Sequence, residues 1–157
     1  MTIWRVRPTV EEIRASRSRT LIEHIGIEIT EVGDDFLRGT MPCDERTFQP
    51  ARIVHGGASV VLAETLASVA ATFCVDRERF MCVGQEINAN HLVPMRHGLA
   101  TGTARPFHIG ARSQVWGIEI ADEAGRLACV SRITMAVVER RRVAQDESRS
   151  LSEGLRP

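Results

Sequence analysis

Lysine is absent from this chain, and all 20 of its basic residues are arginine. A catalytic lysine is therefore excluded, and with it Schiff-base chemistry of the lysine type. Excess charge is lacking as well, because 20 acidic residues balance the 20 basic ones. With a formal net charge of zero, the composition gives no reason to expect a nucleic acid or an anionic membrane as partner.

Cysteine is scarce, and its spacing matches no metal-binding motif. The four cysteines are Cys43, Cys74, Cys82 and Cys129. Since no two of them are close in sequence, we predict neither a metal site nor a disulfide framework. We expect them to act as small hydrophobic residues in a reducing compartment. An enzyme with a nucleophilic cysteine is the less favoured alternative.

Long apolar runs and targeting signals are also missing. No uninterrupted apolar run reaches 18 residues, and the N-terminus lacks the charged start and apolar core of a signal peptide. A cytoplasmic protein is the resulting expectation. The 157 residues suffice for one domain with a substantial core.

Residues 48–68 are the most informative stretch, because several polar groups interrupt an otherwise apolar segment. Small apolar residues fill positions 58–71, which predicts a deeply buried helix. A carboxylate in such a helix costs free energy unless it is paired, hydrated or used. Glu64 is therefore a candidate functional residue, and pairing with an arginine or a backbone amide is its structural alternative.

Gly56 and Gly57 stand at the expected first turn of this helix. The first N–H groups of a helix lack intrahelical partners, and glycine lets a ligand approach them closely. The Gly56 N–H is therefore a candidate to polarise an acyl carbonyl, as in an oxyanion hole. Gln49 and His55 could add donors or orient the substrate. Packing or a loop hinge is the structural alternative for the glycine pair.

The distance between Gly56 and Glu64 predicts a shared site. Glu64 lies eight residues beyond Gly56, which is roughly 12 Å along one helix. A nucleophile must come within about 3 Å of the carbon that it attacks, so Glu64 cannot serve the helix start of its own chain. An antiparallel second copy would bring its own carboxylate there, which predicts a site across a two-fold dimer. Ser68, on the same helix face as Glu64, could hold the carboxylate or a water, or could simply be a small packing residue.

The pattern of the whole chain predicts an α+β domain over residues 1–138. Thr9-Val10-Glu11-Glu12 matches a capping box and opens a short helix to about residue 20, and the long apolar helix covers roughly 57–74. The predicted strands are 26–32, 36–42, 81–91, 98–107, 112–121 and 126–138. One long helix between the second and third strands favours an antiparallel sheet wrapped around it. Residues 139–157 form a polar, arginine-rich tail that we expect to be disordered.

Short motifs between Ile3 and about Val138 carry a resemblance to a known family. They are Phe48-Gln49-Pro50, His55-Gly56-Gly57-Ala58-Ser59, Ala63-Glu64-Thr65-Leu66-Ala67-Ser68, Gly84-Gln85-Glu86-Ile87-Asn88-Ala89-Asn90-His91, His108-Ile109-Gly110 and Gln114-Val115-Trp116. In this order they resemble the hotdog-fold acyl-CoA thioesterases, in the branch whose catalytic carboxylate is a glutamate. Relatives in that branch hydrolyse 1,4-dihydroxy-2-naphthoyl-CoA in menaquinone synthesis or proofread aryl thioesters in siderophore synthesis.

The resemblance implies a hotdog fold, in which a curved antiparallel sheet wraps around one long central helix. It implies hydrolysis of an aryl or medium-chain acyl thioester of coenzyme A or of a carrier protein. Coenzyme A enters as part of the substrate, and no metal or other cofactor is implied. A homodimer with shared sites is expected, and because relatives tend to be tetramers, so is a homotetramer.

The resemblance also assigns roles to residues. Glu64 would be the nucleophile or general base, and the Gly56 N–H would polarise the carbonyl. The implied supporting catalytic residues are Gln49, His55 and Ser68. The implied substrate-binding residues are Gly57, Asn88, His91, His108, Gly110 and Arg112, with His91 lining the aryl pocket.

The chain departs from these relatives at two places. Leu92-Val93 stands where they tend to carry polar or basic residues, and Ala111 separates Arg112 from the glycine that an arginine commonly follows. Both places bear on the rim of the acyl pocket and on the coenzyme A phosphates. Two alternative functions remain open: a hotdog hydratase or dehydratase, in which His55 and Glu64 would transfer protons, and a non-catalytic acyl-CoA-binding module.

Overall fold

The computed structural model describes residues 2–16 and 18–140. Two short helices precede a six-stranded antiparallel sheet and one long helix. The elements are α1 (Val10–Ala15), α2 (Leu21–His24), β1 (Glu28–Val32), β2 (Leu37–Pro42), α3 (Gly56–Phe73), β3 (Phe80–His91), β4 (Leu99–Ile109), β5 (Ser113–Ala121) and β6 (Leu127–Glu139). All six predicted strands and the long central helix are present.

The N-terminal helix is shorter than predicted. The side chain of Thr9 caps α1 by accepting a hydrogen bond from the Glu12 N–H at 3.0 Å. The helix nevertheless ends at Ala15, and a separate helix begins at Leu21. Between them Arg19 has a φ of 60°, a left-handed conformation that a continuous right-handed helix cannot contain. The prediction of one helix to about residue 20 was wrong for this reason.

The strand order of the sheet is β1-β2-β4-β5-β6-β3, and every neighbouring pair is antiparallel. β3 has 12 residues and pairs with β6 alone. Its other edge therefore has no strand partner in the part of the chain that the structure describes. A long open edge of this kind is a ready template for pairing with another chain.

Helix α3 packs against β2, β3, β4, β5 and β6, so the sheet wraps around it. Leu66 of α3 is fully buried against the sheet. Gly39 and Gly102 are direct cross-strand partners beneath it. A Cβ atom added at Gly102 would lie 2.6 Å from Leu66 Cδ1, and one added at Gly39 would lie 2.9 Å from Leu66 Cδ2. The two glycines thus let the helix lie directly on the strand backbones.

Gln114 of β5 holds the other end of α3 from inside the core. It is fully buried, and its Nε2 donates to the carbonyl oxygen of Ala71 at 3.3 Å. Its Oε1 accepts a hydrogen bond from Trp116 Nε1 at 3.0 Å. Because both ends of the amide are paired, its burial leaves no unsatisfied polar group, which would cost about 1–3 kcal/mol.

By length and composition alone, α3 is long and apolar enough to cross a membrane, but half of it is buried within this domain, as in a core helix. At the other end of the chain, β6 continues through Glu139, one residue past the predicted domain end. Residues 141–157, most of the predicted tail, lie outside the described residues.

Candidate active site

Gln49 is held on a tight turn just before α3. The Arg52 N–H donates to the Gln49 carbonyl at 2.8 Å, and the Gln49 N–H donates to the Ile53 carbonyl at 2.9 Å. Pro50 suits the second position of such a turn because its ring fixes φ near −65°. Arg52 then takes a left-handed φ of 58°. The turn fixes the backbone of Gln49 beside the helix start.

His55 is the N-cap of α3. Its Nδ1 accepts a hydrogen bond from the Gly57 N–H at 2.8 Å. A neutral imidazole that accepts at Nδ1 carries its proton on Nε2, so the ring keeps one donor for a ligand. The backbone N–H of His55 donates to the carbonyl of buried Thr47 at 2.8 Å, and Thr47 Oγ1 donates to the Pro42 carbonyl at 2.8 Å. This chain of bonds holds the imidazole at the helix start.

The two glycines of the first turn differ in what they offer. Gly57 has its N–H occupied by His55, whereas the Gly56 N–H has no hydrogen-bond partner among the described residues. His91 of β3 lies against Gly56: a Cβ atom added at Gly56 would lie 2.8 Å from His91 Nε2. Gly56 therefore presents a free donor directly beside an imidazole, and any larger residue there would displace the ring.

Gln49, Gly56 and His91 line one cavity of about 310 Å³, called the Gly56 cavity below. The rest of its lining is mainly apolar: Ile53, Val54, Ser59, Leu92, Val93, Pro94, Met95 and Ala128. A few polar groups in an apolar cavity are typical of a small-molecule site. The arrangement suits an acyl group whose carbonyl oxygen accepts the Gly56 N–H.

Glu64 lies outside this cavity, farther along α3. A Cβ atom added at Gly84 would lie 2.6 Å from Glu64 Oε1, so the carboxylate packs against β3 at that glycine. Gly84 and His91 are seven residues apart, which is roughly 23 Å of extended strand. Half-buried Glu64 has no ion pair or hydrogen bond for its carboxylate among the described residues. The structural alternative of a paired carboxylate is therefore not what this chain shows.

Ser68 does not hold the Glu64 carboxylate within one chain. Its Oγ donates to the Thr65 carbonyl at 3.3 Å. The side chain lines a different cavity, of about 340 Å³, together with residues of α1. A role beside Glu64 would require the Ser68 hydroxyl to turn away from the helix backbone.

Three predicted substrate-binding residues lie at the turn between β4 and β5: His108, Gly110 and Arg112. Ser113, at the start of β5, pairs with Ala136, which in turn pairs with Val83. The turn therefore lies at the Gly84 end of the sheet, away from His91. It does not line the Gly56 cavity of its own chain.

Asn88 faces away from α3. A β-bulge between Gly84 and Glu86 shifts the alternation of β3, so that Ile87 packs on the core and Asn88 points to the outer face. The Asn88 Nδ2 donates to Glu86 Oε1 at 3.1 Å. Within one chain the sheet itself separates this amide from the Gly56 cavity.

The predicted site residues thus form two groups in each chain. The helix-start group is Gln49, His55, Gly56, Gly57 and His91. The edge group is Glu64, Ser68, His108, Gly110 and Arg112. Asn88 belongs to neither, and Ser59, which lines the Gly56 cavity, was missed by the sequence interpretation because a serine in an apolar helix resembles a packing residue.

Comparison with known proteins gives a consistent result. Residues 51–129 match the family model described as Thioesterase superfamily. The chain is 47% identical over 136 residues to the 1,4-dihydroxy-2-naphthoyl-CoA hydrolase of Escherichia coli, covering 87% of this chain and 99% of that protein. It is 46% identical over 136 residues to the proofreading thioesterase EntH of Cronobacter turicensis, covering 87% and 98% of the two chains.

A solved structure shows the same fold. The crystal structure of a glutamine-to-alanine variant of a thioesterase from Pseudomonas aeruginosa matches with a TM-score of 0.87 at 42% sequence identity. The match covers 88% of this chain and 100% of that chain. The predicted hotdog arrangement, with its sheet wrapped around one central helix, is confirmed by this likeness.

None of the four cysteines lines the Gly56 cavity, although Cys129 is the cross-strand partner of His91. Burial raises the pKa of Cys74 to about 12, with a further contribution from Cys82, and raises the pKa of Cys82 to about 11. Burial also raises the pKa values of Cys43 and Cys129. Since the thiolate is the nucleophile, these thiols are poorly suited to attack a substrate. Among residues 2–16 and 18–140, no group of three or more His, Cys, Asp or Glu side chains could hold a metal ion.

We expect the native thiols to react slowly with iodoacetamide at neutral pH. While the pH stays below the raised pKa values, the labelling rate of Cys74 and Cys82 should rise about tenfold per pH unit, because the thiolate fraction does. Mass spectrometry of labelled peptides measures this, and the guanidinium-unfolded chain is the control that should react quickly. Fast labelling of a native thiol at pH 7 would contradict the expectation.

Proposed function

The chain belongs to the thioesterase superfamily, and from this premise we propose that it hydrolyses an aryl-CoA or medium-chain acyl-CoA thioester, or the acyl-carrier equivalent. The products are the free acid and the thiol. Coenzyme A takes part only as the substrate's leaving group, and no metal or redox cofactor is assigned. The observation that carries the proposal is the free N–H of Gly56, which meets an apolar cavity beside His91 and Gln49.

The helix start binds and polarises the thioester carbonyl. The Gly56 N–H donates to the carbonyl oxygen, and the partial positive charge of the α3 N-terminus strengthens that bond as negative charge develops. A donor of this kind is worth about 100- to 1000-fold in rate. The Nε2–H of His55 and the amide of Gln49 are available to orient the carbonyl or the departing sulfur.

Glu64 completes the reaction in one of two ways. It attacks the carbonyl carbon and expels the thiolate, and water then opens the resulting mixed anhydride to release the acid. Alternatively it takes a proton from water as that water attacks, and the tetrahedral intermediate then expels the thiolate. In both routes one water is consumed and the thiolate leaves as thiol after protonation.

The carboxylate that acts at Gly56 comes from the partner subunit. Within one chain Glu64 is roughly 12 Å beyond Gly56 along α3, and it packs on Gly84 rather than in the Gly56 cavity. The open edge of β3 offers the surface through which a second copy would add its own β3 and continue the sheet. The half-buried carboxylate beside that edge would then be enclosed by the partner.

Antiparallel pairing of two β3 edges has one register that joins the two groups. With the two-fold axis at Asn88, and with Gln85 bulged out of the register between Gly84 and Glu86, Gly84 of one subunit lies opposite the partner subunit's His91. Because Glu64 packs on Gly84 and Gly56 packs on His91, this register brings the edge group of one chain to the helix-start group of the other. A tetramer of two such dimers would bury Phe107 of the outer face, which is 73% exposed.

Removal of the Glu64 carboxylate should abolish most of the activity. We expect Glu64→Ala and the isosteric Glu64→Gln to lower kcat/KM by about 100- to 10,000-fold, the usual contribution of such a group. Thiol release would be measured with benzoyl-, hydroxybenzoyl-, 1,4-dihydroxy-2-naphthoyl-, phenylacetyl-, hexanoyl- and palmitoyl-CoA, with the highest rates expected on the aryl thioesters. Glu78→Gln, which changes an exposed carboxylate in the loop before β3, is the matched control. Wild-type turnover by both Glu64 variants would refute the role, and binding without hydrolysis by the wild type would favour a non-catalytic module.

Mixed subunits should recover activity if the site is shared. Glu64→Ala and His55→Ala damage different halves of the site, so a mixed dimer keeps one site with both halves intact. Random exchange makes half of the dimers mixed, and the expected recovery is about one quarter of the wild-type rate. Native mass spectrometry checks the exchange. No recovery despite proven exchange would mean that each site lies within one chain.

Gly84→Ala tests the position of the carboxylate without removing it. The added methyl group would lie 2.6 Å from Glu64 Oε1, and a side-chain end can move away at little cost in stability. We expect kcat/KM to fall about 10- to 100-fold, since small displacements of a catalytic group are costly, while the unfolding temperature changes little. Val83→Ala is the neighbouring control. A loss of stability that accounts for the lost activity would indicate a packing role for Gly84 instead.

A further inference from the structure

Ser59 presents a hydroxyl group inside the Gly56 cavity. The residue is 1% exposed and lines that cavity with Gly56 and His91. Its hydroxyl has no hydrogen-bond partner among the described residues. Since no side-chain oxygen or nitrogen of these residues is both fully enclosed and unpaired, the small exposed part of Ser59 includes its hydroxyl, facing the cavity.

The usual partner of a helical serine is already engaged. Serine hydroxyls within helices commonly donate to the carbonyl four residues earlier, which for Ser59 is the carbonyl of His55. That oxygen accepts hydrogen bonds from the Ala58 N–H at 2.9 Å and from the Ser59 N–H at 3.3 Å. A carbonyl oxygen has two lone pairs, so the His55 carbonyl has no free lone pair for the Ser59 hydroxyl. A bound ligand is the remaining partner for this hydroxyl.

The position of Ser59 indicates which part of a thioester it would meet. Ser59 follows Gly56 by three residues, about 4.5 Å along the helix and on nearly the same side. Pro94 of the cavity lining is exposed, whereas Ser59 and Ala128 are each only 1% exposed. Pro94 therefore lies at the mouth of the cavity, and Ser59 and Ala128 lie at its floor. Because coenzyme A is large and charged, it must stay on the solvent side of the mouth. The acyl group is therefore the part that reaches Ser59.

We propose that Ser59 is a specificity-determining residue that hydrogen-bonds to a hydroxyl substituent on the acyl group, so that the site prefers hydroxyaryl thioesters to their unsubstituted analogues. This inference rests on the proposed function for the nature of the ligand. A hydroxyl one or two carbons away from the carbonyl-bearing carbon pairs with Ser59 while the carbonyl is bound at Gly56. An acyl group without it leaves the Ser59 hydroxyl unpaired in a mainly apolar cavity, whose lining includes Val54 and Met95 and offers it no strong side-chain partner.

The test compares substrates within each variant. kcat/KM is measured for benzoyl-CoA and for 2- and 3-hydroxybenzoyl-CoA, and the ratio of hydroxylated to plain substrate is the readout. We expect Ser59→Ala to lower the higher of the two ratios about 2- to 10-fold, and Ser59→Thr, which keeps a hydroxyl, to retain most of it. Ser131→Ala is the matched control: Ser131 is 3% exposed, but its hydroxyl already donates to the Asn88 carbonyl at 2.7 Å and lies outside the Gly56 cavity.

A binding measurement separates this inference from the proposed function. The dissociation constants of the non-hydrolysable ketone analogues, phenacyl-CoA and its ring-hydroxylated forms, are measured by calorimetry on the same variants. If the Kd of the hydroxylated ligand rises relative to that of the plain ligand in Ser59→Ala, the result supports the inference even if no thioester is cleaved. Unchanged ratios in Ser59→Ala, or an equal loss on hydroxylated and plain ligands, overturn it whether or not the protein is active.

Discussion

The seating of Leu66 between two glycines is the contact on which the rest of the structure depends. Gly39 and Gly102 are cross-strand partners in β2 and β4, and neither has room for a Cβ atom beneath the leucine. A large side chain lodged against bare backbone resists both sliding and rotation of the helix, because protein interiors are packed at nearly crystalline density. The axial position of α3 on the sheet is set here.

That position decides which residues of α3 meet β3. Eight residues apart on the helix, Gly56 and Glu64 each contact the same strand, one at His91 and the other at Gly84. At both contacts a glycine makes the approach possible, on the helix in the first case and on the strand in the second. One helix therefore presents a free N–H at one point of the open edge and a free carboxylate at another. In the proposed dimer, a two-fold axis perpendicular to the sheet at that edge would join the two sets of groups.

The sequence predicted the elements better than the orientation of the residues upon them. Periodicity located the six strands. The long run of small apolar residues set the bounds of the central helix within one residue at each end, because such a run is typical of a buried helix. Periodicity could not foresee the left-handed Arg19 that divides the N-terminal helices, nor the bulge between Gly84 and Glu86 that turns Asn88 outward. The sequence did single out the Gly56 N–H, but it could not show that the ring of His55 occupies the N–H of Gly57. The open hydroxyl of Ser59 likewise depends on bonds already made to the His55 carbonyl. These features depend on which hydrogen-bond donors and acceptors pair with each other in the folded chain, and residue spacing in the sequence does not determine that.

In the proposed dimer the packing of Leu66 against Gly39 and Gly102 would also affect the rate of catalysis. The two copies of α3 run antiparallel about the two-fold axis, so a shift of each helix along its own axis moves them in opposite directions. A slip of about 1 Å in each helix would therefore displace Gly56 and Glu64 of the partner subunit by about 2 Å relative to each other along the helix axes, and displacements of about 1 Å already cost on the order of 100-fold in rate. Substitutions that weaken the packing of Leu66 against these two glycines would lower turnover before they unfold the domain. The geometry of catalysis would then be set in the core of each subunit, at a residue that touches neither the substrate nor the interface.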